Sequence, residues 1–251
     1  MVVASNRRRR PGATWGLIEE PDEAELDECP FCAGREDRTP PETYRAGTET
    51  AWVVRVVPNL YPAFARQEVV IHSPRHVRTF ADLLDEEVGA VAQAWEARRD
   101  TVATGYLHAC INEGRAAGSS LAHSHSQLVW FAEPPPEVAR EHGPVPLEDE
   151  LVFAERDGIR AAAHPAGRLP YESLIAGERF DLHVVLLLLR ETVQRLRAVE
   201  GPVPWNAWLH PGHLELVPRL NVLAGVELGA GVYVNTVAPD DAARALRGVG
   251  L

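Results

Sequence analysis

The chain lacks a long apolar run. Its strongest, Val184 to Leu189, falls far short of the roughly 20 residues a membrane-spanning helix needs. The basic N-terminus is not followed by the apolar stretch of a secretory signal, so neither secretion nor membrane insertion is expected. Cysteine is scarce as well: three in 251 residues, an odd number, make no disulfide framework. A reducing, cytoplasmic setting is the expectation. Surplus positive charge is also missing, since the formal net charge is -11 and most of the surface would repel a nucleic-acid backbone. Finally, neither Ser124 nor Ser126 stands in a Gly-x-Ser-x-Gly elbow, which disfavours a serine hydrolase.

What is present reads as a packed globular protein, with 45% hydrophobic and 24% charged residues. Ala51 to Val57 and Gln67 to His72 are Val-rich and bounded by turn residues, so they predict strands around the turn Pro58-Asn59-Leu60-Tyr61-Pro62. From Phe80 to about Ala103, Leu84, Val88, Val91 and Trp95 recur at helical spacing, with acidic residues in the early turns. Tyr106 to Asn112 and Leu121 to Phe131 predict two more strands. Glu133-Pro134-Pro135-Pro136 and the polar residues up to Pro146 predict a linker, because consecutive prolines continue neither a helix nor a central strand.

Beyond it, Leu147 to Glu155 predicts a short helix and Ile159 to Ala163 and Tyr171 to Ala176 predict strands. Leu182 to Val199 predicts a second long helix, and Trp205 to Leu209 and His213 to Val217 two final strands. The two halves, 1–132 and 147–251, thus repeat one order of elements: strand, strand, long helix, strand, strand. His210 and His213 fall roughly where His123 and His125 do. The expected fold is α+β, two antiparallel sheets with helices on one face.

The candidate chemistry lies in Leu121-Ala122-His123-Ser124-His125-Ser126-Gln127-Leu128-Val129. A strand there would put His123, His125 and Gln127 on one face, roughly 6.6 Å apart, so that one imidazole binds a metal while its neighbour addresses a substrate. Taken singly, each His reads more plainly as a surface residue. Cys29-Pro-Phe-Cys32 offers two thiolates at a spacing that suits tetrahedral zinc, with His76 and His123 as candidates for the other ligands. The competing redox-pair reading lacks a preceding strand and a following helix. An imidazole is a competent nucleophile near neutral pH, and Gln127, Ser120 and arginines could stabilise charge on a phosphoryl group. Arg7 to Arg10 concentrate cations locally, though a solvated basic tail is the plainer reading of that run.

Six segments in order resemble the galactose-1-phosphate uridylyltransferases of the histidine-triad superfamily. They are Val2 through Arg10-Pro11, Cys29-Pro-Phe-Cys32, Pro58 to Pro62, Ser73-Pro74-Arg75-His76, Asn112-Glu113-Gly114 through Gln127, and His213 through Arg219. The resemblance implies that His125 is a nucleophile carrying a uridylyl group and that Gln127 and Ser120 attend the phosphate. It implies zinc on Cys29, Cys32, His76 and His123. Arg7 and Arg10 would contact phosphate, Phe31 and Asn59 would wall the nucleoside pocket, and Asn112 would touch substrate. Asn221 stands where many members place a sugar-phosphate-contacting lysine, and Glu215 where some place a histidine of a second metal site. Both departures leave the acceptor open; a second metal near His210 and His213 is a further reading, although two histidines three residues apart read more plainly as ordinary surface or core residues, and a homodimer is expected.

The implied reaction moves UMP between UDP-glucose and galactose 1-phosphate through a nucleotidylated His125. Its nearest rival discharges the same intermediate with inorganic phosphate, as an ADP-sugar or dinucleoside-polyphosphate phosphorylase. A zinc-stabilised nucleotide-binding module without turnover is the third reading.

Overall fold

The computed structural model describes residues 1–3, 16–19, 23–101, 104–141 and 145–250, so Arg7 and Arg10 lie outside the described residues. Ten strands form one antiparallel sheet where the sequence predicts two. They are β2 (Tyr44–Gly47), β3 (Trp52–Pro58), β4 (Gln67–Ile71), β5 (Tyr106–Glu113) and β6 (His125–Phe131), then β7 (Val152–Arg156), β8 (Ile159–Ala163), β9 (Ser173–Gly177), β10 (Trp205–His210) and β11 (His213–Pro218). Their order across the sheet is β2-β3-β4-β6-β5-β10-β11-β9-β8-β7. Each half contributes five strands in the order first, second, third, fifth, fourth, which makes the internal duplication explicit. The halves meet edge to edge where β5 pairs with β10, Trp205 opposite Glu113 and Trp208 opposite Cys110. Joining at that seam leaves neither half an open edge there.

The first strand of each half departs from the sequence reading. Tyr44–Gly47 is a short edge strand whose residues are half-buried or exposed, so it carries no apolar alternation. Over Leu147 to Glu155, where a helix is predicted, only a single 3-10 turn, Asp149–Leu151, precedes strand β7. Pairing with β8 overrides the local helical pattern.

The two long helices, α2 (Asp85–Arg99) and α4 (Leu182–Glu200), lie side by side over one face of the sheet. Val88, Val91 and Trp95 of α2 and Leu186, Leu188 and Leu189 of α4 are buried in the main core, whereas Leu84 stays exposed just ahead of α2. Glu87 accepts the Leu84 N–H at 2.7 Å, and Asp181 caps α4 by accepting from His183 and Val184 N–H. A two-residue parallel pair, β1 (Val2–Val3) with β12 (Val234–Asn235), lies apart from the sheet. Smaller helices α1 (Glu23–Glu28), α3 (Pro136–Ala139), α5 (Gly225–Ala230) and α6 (Pro239–Arg247) complete the chain. No helix among the described residues is long and apolar enough to cross a membrane.

One buried carboxyl couples the core to pH. Glu113, at the end of β5, accepts from Phe80 N–H at 2.8 Å and from Trp205 Nε1 at 2.9 Å, yet burial pushes its pKa up from 4.5 to about 7. The folded protein then holds a proton that the unfolded chain releases, so stability falls as pH rises from 4.5 to about 7 and is flat above. Denaturant titrations across that window should show the native protein losing on the order of 3 kcal/mol relative to Glu113→Gln. Parallel curves for the two proteins would refute the assignment.

Candidate active site and metal cluster

On β6, Ser126 and Leu128 face the helices while His125 and Gln127 face the opposite, open side of the sheet. The strand begins at His125, so the predicted shared face with His123 does not exist: His123 sits in the preceding loop. There its Nε2 lies 2.9 Å from Ser73 O, and Ser124 N–H bonds Val77 O at 2.6 Å, which draws the chain off the ladder toward residues 73–77.

His123 instead joins Cys29, Cys32 and His76, whose ligand atoms all lie within 4.8 Å of one another. Cys29 Sγ is 3.4 Å and Cys32 Sγ 3.8 Å from His123 Nδ1, and Cys32 Sγ is 3.3 Å from His76 Nδ1. A tetrahedral ion with sulfur and nitrogen ligands at ordinary bond lengths sets those edges at about 3.6 Å. Both imidazoles turn Nδ1 inward, and both Nε2 atoms meet oxygen: Ser73 O for His123, and Glu25 Oε1 at 3.0 Å for His76. That outer pairing fixes the tautomer a metal ligand needs. The four residues could hold a metal ion.

His125 is buried beside this cluster. Its Nδ1 lies 2.7 Å from His123 O, and its ring meets Phe31 edge-on at 5.4 Å between centroids. Burial lowers its pKa below the ordinary imidazole value, which favours the neutral ring. A cavity of about 1050 Å³ is lined by His125, His123, Ser120, Asn112, Arg115 and Cys29, among others. It takes up several of the predicted site residues. Gln127 lies on the open face two residues on, its Oε1 accepting from Gln67 Nε2 at 2.7 Å. Asn59 accepts from Tyr61 N–H in the turn after β3, and Asn221 bonds Thr236 in the other half; neither lines this cavity.

The second half repeats the open-face pattern. Gln127 lies between Val69 and Cys110, and Glu215 lies between Leu174 and Trp208. By the same count His213 corresponds to His125 and His210 to Asn112, which corrects the expected match of His210 with His123. Two clusters form there: Glu141, His210 and His213, and then His164, Glu172 and Glu215. Glu141 comes from the Pro-rich linker, a candidate ligand no spacing rule would find. Arg168 pairs with both Glu172 and Glu215, and burial followed by the neighbouring Glu172 pushes Glu215 up to about 8.

The family model described as galactose-1-phosphate uridyl transferase, N-terminal domain, matches residues 59–135, the segment running from the Asn59 turn through His125 to the linker. Over 320 aligned residues the chain is 25% identical to an ADP-glucose phosphorylase of Arabidopsis thaliana, covering all of this chain and 90% of that protein. A crystal structure of an Arabidopsis ADP-glucose phosphorylase with bound ADP-glucose superposes with a TM-score of 0.80 at 26% identity, over 93% of each chain. These matches support the galactose-1-phosphate uridylyltransferase family for this chain. A galactose-1-phosphate uridylyltransferase of Streptomyces lividans is 29% identical over 121 residues, 45% of this chain and 32% of that protein. The chain is therefore an enzyme of this family with its α+β fold, and the cavity beside the Cys–His cluster is its candidate active site.

Proposed function

We propose that the chain transfers a nucleotidyl group from a nucleotide sugar through a covalent intermediate on Nε2 of His125. One observation carries this: His125 Nδ1 faces the His123 carbonyl at 2.7 Å. A carbonyl oxygen only accepts, so the ring hydrogen belongs on Nδ1 and Nε2 keeps its lone pair. Attack on the α-phosphorus forms the nitrogen–phosphorus bond as the bond to the bridging oxygen breaks, and the sugar 1-phosphate leaves with that oxygen. An oxygen of a second phosphate then attacks the same phosphorus and returns Nε2 to its free state. Gln127, Ser120 and Asn112 are the amide and hydroxyl groups assigned to the non-bridging oxygens. The chain contains no lysine, so cationic contacts to phosphate fall to arginine, with Arg7 and Arg10 the candidates.

The full-length similarity to ADP-glucose phosphorylase supports ADP-glucose as donor and inorganic phosphate as acceptor, giving ADP and glucose 1-phosphate. The second reading, UDP-glucose with galactose 1-phosphate, is supported by the match of residues 59–135 and by the Streptomyces relative. Zinc on Cys29, Cys32, His76 and His123 supplies rigidity in either case, because four protein ligands leave no open position for chemistry. A second metal is assigned to Glu141, His210 and His213. The free thiols fit a reducing cytoplasm.

Intact-protein mass after incubation with ADP-glucose or UDP-glucose alone tests the intermediate. The expected result is one added nucleotidyl group, discharged by phosphate on the first reading and by galactose 1-phosphate on the second. A native protein that turns over substrate yet never gains that mass would overturn the covalent mechanism.

A further inference from the structure

Behind the nucleophile, on the helix side of β6, runs a buried row of hydrogen bonds. Trp95 Nε1 on α2 donates to Ser126 Oγ at 2.9 Å. Ser126 Oγ is 3.0 Å from His72 Nε2, and His72 Nδ1 is 2.9 Å from Ser124 Oγ. His72 and Ser126 are wholly buried and Ser124 nearly so. Ser126 takes the Trp95 hydrogen, and the neutral imidazole gives its one N–H to one serine while the other serine's hydroxyl donates to the remaining ring nitrogen. One neutral imidazole thereby serves both residues that flank His125.

We propose that His72 is a positioning residue for His125, clamping the chain immediately before and after the nucleophile. Regular pairing gives out at this point. His125 is the first residue of β6 and its partner Ile71 the last of β4, and only His72 N–H to Ser124 O, at 3.2 Å, extends the ladder. Strand ends open more readily than strand centres, so a nucleophile placed at one needs side-chain anchoring to keep its aim. The clamp supplies it through His72 and Ser126, which lie behind the cavity, and through Ser124 at the cavity wall. His72 does not line that cavity. Its effect passes through the backbone at position 125, where a displacement of about 1 Å costs on the order of 100-fold in rate.

This inference rests on His125 being the nucleophile, and its test separates the two. His72→Phe keeps a ring against Phe80, now 5.4 Å from the imidazole centroid, but removes both serine contacts. His72→Asn restores a group that can donate to Ser124. Single-turnover nucleotidylation with ADP-glucose, or with UDP-glucose if that is the donor, is followed by intact mass alongside metal content and thermal melting. The expected result is a loss of about 100-fold in the Phe variant at unchanged half-saturating donor and unchanged metal content, with most of the loss recovered by Asn. A Phe variant that reacts at the native rate overturns the clamp. So does a loss that merely tracks the folded fraction and is not recovered by Asn. If His72→Phe does not fold, Ser124→Ala and Ser126→Ala probe the same contacts, and native rates in both would overturn it. Native protein that forms no adduct overturns the nucleophile reading, and the clamp with it.

Discussion

Replacing His125 with alanine should leave a folded protein that forms no nucleotidyl adduct and turns over nucleotide sugar at least about 10,000-fold more slowly. The expected loss is large because no neighbour can take over. His123 has both ring nitrogens engaged, Nδ1 toward the thiols and Nε2 toward Ser73 O. His76 likewise has Nδ1 toward the Cys32 thiol and Nε2 toward Glu25, and His72 is wholly buried behind the strand and held by two serines. The fold should survive, since the side chain gives up only its bond to His123 O and an edge contact with Phe31. Steady-state rates, intact mass and a melting curve on one preparation decide the matter. Turnover within tenfold of native, from protein freed of contaminating enzyme, would sink the assignment. Gln127→Ala should behave differently, forming adduct more slowly by roughly 100-fold, because it removes a donor and leaves the nucleophile in place.

Much of this was legible in the sequence, and the failures share a cause. The order of long elements followed from periodicity, since Val-rich runs and the apolar stripes of α2 and α4 carry their own signal. That Cys29, Cys32, His76 and His123 would cluster was legible because metal chemistry restricts both residue type and spacing. What could not be read was anything decided by distant pairing. Val152–Arg156 becomes a strand only because β8 lies beside it. The single sheet exists because β5 and β10, about a hundred residues apart, find each other along Trp205 and Glu113. His123 leaves the strand because Ser73 and Val77, distant in sequence, hold its loop. Ser124 and Ser126 read as bystanders between two histidines until His72 appears between them. The duplicated register of His125-x-Gln127 and His213-x-Glu215 is likewise visible only once both strands have partners on each side.

Loss of the metal proposed at Cys29, Cys32, His76 and His123 should be the costliest change to stability. Cys29 lies in the loop after α1, Cys32 three residues on, His76 follows β4, and His123 precedes β6, so the four ligands tie together segments up to 94 residues apart. Apolar packing adds little to the surface hydrogen bonds that Arg35 and Arg38 make to this corner. Its apolar cluster is small, with Phe31, Trp52, Val57, Val69 and Ile71 as the main members beside Cys29. Apparent binding free energies of about 10 kcal/mol or more for structural zinc can exceed what such a cluster contributes alone. Cys32→Ser, or exhaustive chelation, should therefore remove several kcal/mol and lower Tm by about 10 °C or more in a chain of this size. Activity should fall with it, because Phe31 and the His123 carbonyl, which both touch the His125 ring, ride on the loops that carry the cluster. Readdition of zinc to the chelated protein should restore melting temperature and adduct formation together. The discriminating outcome is their separation: a metal-free protein that melts as the native does, yet has lost adduct formation, would mean that the ion acts in the chemistry and not as a brace.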